Sequence, residues 1–318
     1  MRARFWGTRG SLPAALTTHE LRRKLSRTLQ ATIGRNLDSA GRIEDFLDRE
    51  MEFSATHTFG GNSPCVELVA GGPEFLACDM GSGARPLGNH VMAQSQGAPP
   101  VIHVFMSHVH WDHIMGFPFF APAYAPGARI FIHGCHESLE QAFRLQQSAP
   151  VFPVDFSHLA ADVRFVRLTP NEWSQVAGVR VKPMRQNHSG DSYGYRFEHA
   201  ERSIVYSTDS EHKLDDSSAT SAFVEFFRDA DLVIFDAMYS LLDAISVKED
   251  WGHSSNVVGV ELAQLAHVKH LCLFHHEPAN DDEQIERIVQ DAIRLERLTR
   301  AGHAVKVSAA WDGLEIDV

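Results

Sequence analysis

The sequence is short of cysteine and of long apolar runs. Its 318 residues include four cysteines with no Cys-x-x-Cys pair, and no run of 18 apolar residues occurs. The cysteine pattern does not support a disulfide-rich fold or a cysteine zinc motif, so we expect reduced, buried thiols. The apolar pattern excludes an ordinary transmembrane helix, and the first residues lack the apolar core of a signal peptide. We therefore expect a cytoplasmic protein that does not bind membranes.

Basic residues are also scarce. Lys and Arg number 29 against 41 Asp and Glu, which gives a formal net charge of −12. Sequence-independent binding to nucleic acid needs a basic surface, so we expect no broad nucleic-acid binding. The expected substrate is a small molecule, and it can be anionic if metal ions supply the positive charge.

Histidine, by contrast, is frequent. Nineteen are present, and three of them fall within the six residues HVHWDH at 108–113. The run before them, VIHVFMSH, is typical of a buried strand. His108 and His110 are two residues apart, so on an extended chain their imidazoles point to the same side and can reach one metal ion. Asp112 and His113 follow after the chain turns and can serve a second ion.

Similar polar residues follow apolar runs further along the chain. His188 lies in a polar, glycine-containing segment between two strand-like runs, and Asp209 closes the run SIVYSTD. His275 and His276 close HLCLFHH in the same way. Residues at the carboxyl ends of strands point into a shared crevice, so we expect these side chains to join those of HVHWDH.

Several neighbouring residues have two interpretations. Asp79 and Asp236 also end strand-like runs, and they either orient ligand histidines or stabilise turns. Glu211, His212 and Lys213 come just after Asp209, and they either contact substrate or belong to a solvated loop.

Short apolar runs recur along the chain and predict strands, with helical patterns between or after them. Strands dominate, which predicts a layered α/β sandwich. Residues 14–56 interrupt this pattern because they predict two consecutive helices. The first helix has Leu21, Leu25 and Leu29 at a spacing of four, and its basic side is expected to face solvent. We interpret the segment as a packed helical hairpin, with a lid, a substrate clamp or a dimerisation arm as alternatives.

Taken together, the motifs resemble those of the metallo-β-lactamase superfamily. HxHxDH is followed by a single histidine, an aspartate that closes a strand and a histidine that closes a late strand. FWGTRGSLP, GGNSPCVEL and GHSSNVVGVEL resemble the phosphodiesterase side of that family, which includes tRNase Z and cyclic-nucleotide phosphodiesterases. The resemblance implies a four-layer αββα sandwich that spans residues 1–318 as one domain, with the helical hairpin at about 14–56 as an insertion.

The resemblance also implies ligands for two divalent metal ions. One ion would be held by His108, His110 and His188. The other would be held by Asp112, His113 and His275, with Asp209 bridging the two. His276 is the alternative to His275. Zinc is the expected metal, and the two aspartates leave manganese and iron as alternatives.

Two residues would take part in the chemistry. Asp112 would orient the attacking water or accept its proton. His253, in the Gly-His-Ser-Ser loop, would face the scissile group without binding metal, although an ordinary loop histidine is the alternative interpretation. Two adjacent cations lower the pKa of a bridging water from about 15.7 toward roughly 7, and the resulting metal-bridging hydroxide would attack the substrate.

The expected activity is hydrolysis of a small phosphodiester such as a cyclic nucleotide. The sequence lacks the glycine- and proline-rich arm with which long tRNase Z enzymes grip tRNA, and the helical insertion could narrow the pocket. A hydrolase of lactones, thioesters or β-lactams on the same metal pair is the second hypothesis. A noncatalytic metal-binding or sensor module, or a flavodiiron-type redox protein, is the third. The helical hairpin is also a candidate interface for a homodimer.

Overall fold

Two seven-stranded β-sheets form the centre of the protein in a computed structural model that describes residues 1–212, 217–239 and 252–318. The strands of the first sheet, in spatial order, are β14 (Glu315–Asp317), β1 (Arg2–Gly7), β2 (Cys65–Val69), β3 (Phe75–Cys78), β4 (Val101–Phe105), β5 (Arg129–Gly134) and β6 (Asp162–Arg167). Those of the second sheet are β13 (Lys306–Ala309), β12 (His270–Phe274), β11 (Leu232–Asp236), β10 (Arg202–Ser207), β9 (Ser192–His199), β8 (Val179–Gln186) and β7 (Ser174–Val176).

The two sheets have the same plan. In the first, the strands from β14 to β3 pair antiparallel and those from β3 to β6 pair parallel. In the second, the strands from β7 to β10 pair antiparallel and those from β10 to β13 pair parallel. Each sheet therefore joins a parallel half, which must be covered on both faces, to an antiparallel half.

Helices cover the outer faces of both sheets. The α-helices are α1 (Thr18–Ala31), α2 (Ala40–Arg49), α3 (Phe53–Thr56), α4 (Ala84–Gln94), α5 (Trp111–Ile114), α6 (Leu139–Gln146), α7 (Ser217–Phe227), α8 (Asn256–Leu265) and α9 (Asp282–Thr299). α4 and α6 share a buried core with the first sheet, and α7, α8 and α9 share one with the second. None of the described helices is long and apolar enough to cross a membrane.

A third core lies between the two sheets. Phe105 of β4 packs against Tyr195 and Phe197 of β9, with ring centroids 5.7 and 5.1 Å apart. Successive residues of a strand point to opposite faces, so Ile234 of β11 enters this core while Phe235 packs under the helices. The layers are therefore helices, sheet, sheet and helices, with a buried core between each pair of neighbouring layers. This order confirms the predicted αββα sandwich. All four cysteines are buried and unpaired, as expected.

The segment at 14–56 contains α1, α2 and the short α3. The basic side of α1 was expected to face solvent, but its leucines are the more exposed side. Two of its basic residues contact the acidic start of α9: Arg23 pairs with Asp281 at 2.8 Å and Lys24 with Asp282 at 2.5 Å. Leu25 and Leu29 are 56% and 65% exposed. The acidic N-terminus of α9 attracts the basic face, and periodicity alone does not reveal such a partner. The division into one domain with a helical insertion stays a prediction.

Candidate active site

The seven residues predicted to bind metal meet at one end of the two sheets. They come from the segments after β4 (His108, His110, Asp112 and His113), after β8 (His188), after β10 (Asp209) and after β12 (His275). Most of these side chains are buried, including that of His188, which is 4% exposed, whereas His110 is exposed. The cluster is therefore reached from solvent on the side of His110.

His108, His110 and His188 form the first group of the cluster. Nε2 of His108 lies 2.9 Å from Nδ1 of His110, and Nε2 of His188 lies 3.1 Å from the same Nδ1. Three ring nitrogens thus converge closely enough to hold one cation.

Asp112, His113 and His275 form the second group. Oδ2 of Asp112 lies 3.2 Å from Nε2 of His113 and 3.5 Å from Nε2 of His275. Both imidazole nitrogens are buried, and neither makes a hydrogen bond of acceptable geometry to another described residue. A buried nitrogen without a partner is costly unless a cation or a proton supplies one.

Asp209 lies between the two groups and presents one oxygen to each. Its Oδ1 is 3.2 Å from Nε2 of both His113 and His275. Its Oδ2 is 3.7 Å from Nε2 of His108 and 3.8 Å from Nε2 of His188. Burial would raise the pKa of Asp209, but the surrounding histidines, led by His275, hold that pKa well below its usual range. The carboxylate is therefore ionised and placed to serve two cations.

Three residues of the site have positive φ angles, which residues other than glycine rarely adopt. Asp79 directly follows β3, Asp209 is two residues past β10, and His275 directly follows β12; their φ angles are 59°, 45° and 61°. Each such residue costs of order 1–3 kcal/mol and is retained where the surroundings demand it. The turn at each strand end directs these side chains into the crevice between the sheets.

Asp79 fixes the orientation of His113. Its Oδ2 accepts hydrogen bonds from Nδ1 of His113 at 2.8 Å, from Oγ of Ser107 at 2.7 Å and from the phenol of Tyr206 at 2.7 Å. Because Nδ1 donates, Nε2 of His113 keeps its lone pair and faces the two aspartates of the cluster. Of its two interpretations, Asp79 is thus placed to orient a histidine.

His188 is oriented by the backbone of the Gly-His-Ser-Ser loop. Its Nδ1 donates a hydrogen bond to the carbonyl of Gly252 at 2.8 Å, which leaves Nε2 free to face His110. Gly252 has a φ of 82°, and a Cβ at this position would lie 2.4 Å from Nδ1 of His188. Only glycine allows the loop to approach the imidazole this closely.

His253 pairs with Asp236 at the edge of the cluster. Its Nδ1 lies 2.9 Å from Oδ2 of Asp236, and its ring centroid is 5.1 Å from those of His188 and His275. Burial alone would lower the pKa of His253, but the Asp236 carboxylate raises it to about 9. His253 therefore carries a proton at neutral pH, and Asp236 is placed to orient it.

The two serines that follow His253 hold the loop in place. Oγ of Ser254 donates to the carbonyl of Ser210 at 2.6 Å and lies 2.7 Å from Nδ1 of His212. His212 itself is buried against Phe223 rather than in a solvated loop, and Lys213 lies outside the described residues. Ser255 is the N-cap of α8. In the Gly-His-Ser-Ser pattern, Gly252 allows the backbone to approach His188, and His253 supplies a polar side chain at the site. Ser254 holds the loop by hydrogen bonds, and Ser255 begins α8.

His276 does not belong to the cluster. Its Nε2 donates to the carbonyl of Ala310 at 2.8 Å, and its ring packs on Phe59. The chain turns at His275, whose φ is 61°, and the side chains of His275 and His276 go to different places, so only His275 joins the cluster. The structure places His275 there.

The cluster is suited to divalent metal ions. Five imidazoles and two carboxylates are the donors that zinc and other first-row metals prefer. The ring nitrogens of the first group face one another, and Nε2 of His113 and of His275 lacks a hydrogen-bond partner in the described part of the chain. Lone pairs directed at one another repel unless a cation lies between them.

Sequence reasoning did not identify the partners that orient the histidines through hydroxyl and carbonyl groups. Ser107 and Tyr206 contact Asp79, and the carbonyl of Gly252 contacts His188. Tyr206 lies within an apolar run and has the sequence signature of a core residue. A backbone carbonyl carries no residue-type signal, so only the loop conformation reveals it.

The chain is similar to known proteins in sequence and in fold. The chain is 22% identical over 245 residues to ribonuclease Z of Oceanobacillus iheyensis. The alignment covers 61% of this chain and 77% of the relative. Among solved structures, the metallo-beta-lactamase fold protein YhfI from Bacillus subtilis aligns with a TM-score of 0.65 and 16% identity, covering 99% of each chain. The short form of human tRNase Z aligns with a TM-score of 0.57 and 19% identity, covering 100% of this chain and 99% of that one.

The expectation of a small-molecule substrate and of no broad nucleic-acid binding is wrong. The relative is named a ribonuclease, and one similar structure is a tRNase Z. The net charge of −12 sums over the whole chain, so it does not describe the field at a site where metal ions would meet the phosphate.

A family comparison assigns the chain. The model of the beta-lactamase superfamily domain matches residues 77–276, which is more than half of the sequence and includes every residue of both candidate ligand groups. The resemblance inferred from the motifs is confirmed, as is the expectation of a hydrolase. The chain belongs to the beta-lactamase superfamily.

Proposed function

We propose that this hydrolase cleaves a phosphodiester bond in RNA with two divalent metal ions, and that zinc is the metal. The observation that carries the proposal is the position of Asp209, whose two oxygens face two separate groups of ligands. The likeness to ribonuclease Z supports RNA as the substrate class.

The proposed ligands follow the two groups. The first ion would be held by His108, His110 and His188. The second would be held by Asp112, His113 and His275. Asp209 would bridge the ions. When bound, two adjacent cations lower the pKa of water and polarise a phosphoryl oxygen, which supplies the nucleophile and the electrophile of the reaction.

Asp112 has a further proposed role. Its carboxylate is buried beside His113 and His275, and one oxygen is directed at both imidazoles. The other is available to orient the attacking water or to accept its proton. A carboxylate in this position would accept the proton of the attacking water while its other oxygen stays within the cluster.

His253 is the proposed proton donor. The Asp236 carboxylate raises the pKa of His253, which favours the protonated imidazole, and its ring lies beside His188 and His275. Its Nδ1 is engaged by Asp236, so the Nε2 proton is the one available to the leaving oxygen. General acid catalysis of this kind contributes about 10²- to 10⁴-fold to the rate.

The test compares bond types and variants. Zinc- or manganese-loaded protein should hydrolyse bis(p-nitrophenyl) phosphate and an RNA with a 3′ extension, and it should not hydrolyse nitrocefin or an acyl-homoserine lactone. His253→Ala should lower kcat by about 10²- to 10⁴-fold with unchanged metal content. Full metal loading without hydrolysis of either phosphodiester would overturn the proposal, and so would faster hydrolysis of the lactone or nitrocefin.

A further inference from the structure

We propose that the indole of Trp111 stacks on a nucleobase beside the scissile phosphate and so determines the preference for nucleotidyl substrates. This inference rests on the proposed function, since it names the feature of the substrate that the site would recognise. Trp111 lies between His110 and Asp112 in the sequence, and these two residues belong to the two different ligand groups. The backbone of Trp111 therefore lies one residue from a candidate ligand of each ion.

Trp111 is exposed and directly follows the exposed candidate ligand His110. Its side chain is 59% exposed, while the next three residues are buried and only His110 among the candidate ligands is exposed. An indole presents a large, flat apolar face, so one that is exposed next to an exposed candidate ligand can serve as a stacking surface.

The other exposed aromatic rings of the described residues already have partners. The Arg180 guanidinium lies 4.2 Å above the ring of Trp173, and Phe119 packs edge-on against Phe152 with centroids 5.5 Å apart. Within the described residues, the indole of Trp111 has no ring contact, cation contact or hydrogen bond. Its stacking face is thus available.

The backbone that carries Trp111 is held firmly. Oγ of Ser63 donates to the carbonyl of Asp112 at 2.8 Å, and Nε2 of Gln146 donates to the carbonyl of Ile114 at 2.9 Å. The amide of His113 donates to the carbonyl of His110 at 3.0 Å. A ring on a fixed turn loses little conformational freedom on binding, which makes it an efficient stacking surface.

Charge explains why a base, rather than more phosphate, would be recognised here. Arg185, near His188 in sequence, forms an ion pair with Asp191. The phosphate would be met by the metal ions, so selectivity for a nucleotide needs an uncharged contact to the base. Base stacking on an aromatic side chain provides this for any of the four bases.

The test uses binding rather than turnover. Zinc-loaded protein is titrated by calorimetry with adenosine 5′-monophosphate and with ribose 5-phosphate, which differ only in the base. Trp111→Ala should weaken binding of the nucleotide by about 5- to 150-fold and leave that of the sugar phosphate within about twofold. Trp111→Phe should retain most of the affinity because a ring remains.

Trp173→Ala is the matched control. Trp173 directly precedes β7, whose Ser174 pairs with Val181, and His188 lies seven residues further along the chain, roughly 23 Å if extended. This variant should bind both ligands as the wild type does.

The inference is overturned if Trp111→Ala binds the nucleotide as tightly as the wild type, or if it weakens both ligands equally. A wild type that does not prefer the nucleotide to the sugar phosphate also overturns it. Hydrolysis of bis(p-nitrophenyl) phosphate and RNA is measured separately, so base-dependent binding without turnover contradicts the proposed function and not the role of Trp111.

Discussion

Oδ2 of Asp236 lies 2.9 Å from Nδ1 of His253, at the margin of the histidine and aspartate cluster. Asp236 is fully buried and also accepts hydrogen bonds from the amides of Ser210 and Met238. These contacts fix the carboxylate independently of His253. The carboxylate in turn favours a positively charged His253 beside the proposed site of reaction. This pair links the structure of the loop to the pH dependence of the enzyme.

Asp236→Asn should lower the pKa of His253 from about 9 toward its ordinary value near 6.5, because the carboxylate supports the proton. The basic limb of the kcat–pH profile should then move to lower pH by up to roughly two units, with little change at pH 6. The pair also stabilises the folded state below about pH 6.5, and this contribution is lost as pH rises through about 9. An unmoved basic limb would show that His253 is not the proton donor.

Tyr206→Phe should weaken metal binding without touching a ligand. The phenol donates to Asp79, which orients His113, and loss of such a supporting contact typically costs 10- to 100-fold in metal affinity. Tyr195→Phe is the control, since its buried phenol donates to the carbonyl of Met106 at 2.6 Å instead. Both variants should lose about 1–3 kcal/mol of folding free energy. Competition with a chelator should separate them, and equal metal affinities would contradict the role of Tyr206.

His275→Gln and His276→Gln should differ in metal content. Nε2 of His275 faces Asp112 and Asp209, whereas His276 bonds to Ala310 on the opposite side of the strand. The first variant should lose one of two ions and most phosphodiesterase activity. The second should keep both ions, at a cost of about 1–3 kcal/mol in stability. Metal analysis of both proteins checks this, and the reverse pattern would reassign the ligand.

His133→Phe should make the protein less sensitive to acid. His133 is buried beside Phe105, with ring centroids 4.8 Å apart, and burial lowers its pKa to about 3. Between about pH 6.5 and 3 the unfolded chain binds a proton here that the folded chain does not, so stability falls as pH falls, by up to about 1.4 kcal/mol per unit. Urea unfolding at pH 7 and pH 5 should show a smaller difference for the variant, by about 2 kcal/mol.

His158→Phe is the control for that measurement. His158 is exposed, so its replacement should leave the difference between pH 7 and pH 5 unchanged. Equal pH dependence of the His133 variant and the wild type would contradict the assignment of a neutral buried imidazole.

The positions of the site residues could be predicted because their chemistry conflicts with their surroundings. His108, Asp209 and His275 each follow an apolar run that has no structural use for an imidazole or a carboxylate. Strand ends at one edge of a layered fold bring such residues together, so sequence order was enough to anticipate their meeting.

Other features depend on contacts that sequence periodicity does not contain. Arg180, Lys182 and Arg185 interrupt the apolar pattern of β8 and weaken its signal in the sequence, although its inward residues alternate as an antiparallel strand requires. The basic side of α1 forms ion pairs with the acidic start of α9, a partner that the periodicity of α1 does not reveal. In both cases a partner distant in the chain decides the outcome.

The most direct test of the account is the metal content of the wild type and of Asp209→Ala, measured by elemental analysis and located by anomalous scattering. The account predicts two ions per chain in the wild type, one on each side of Asp209, and at most one in the variant. A wild type that binds one ion, or a variant that still binds two, would contradict it.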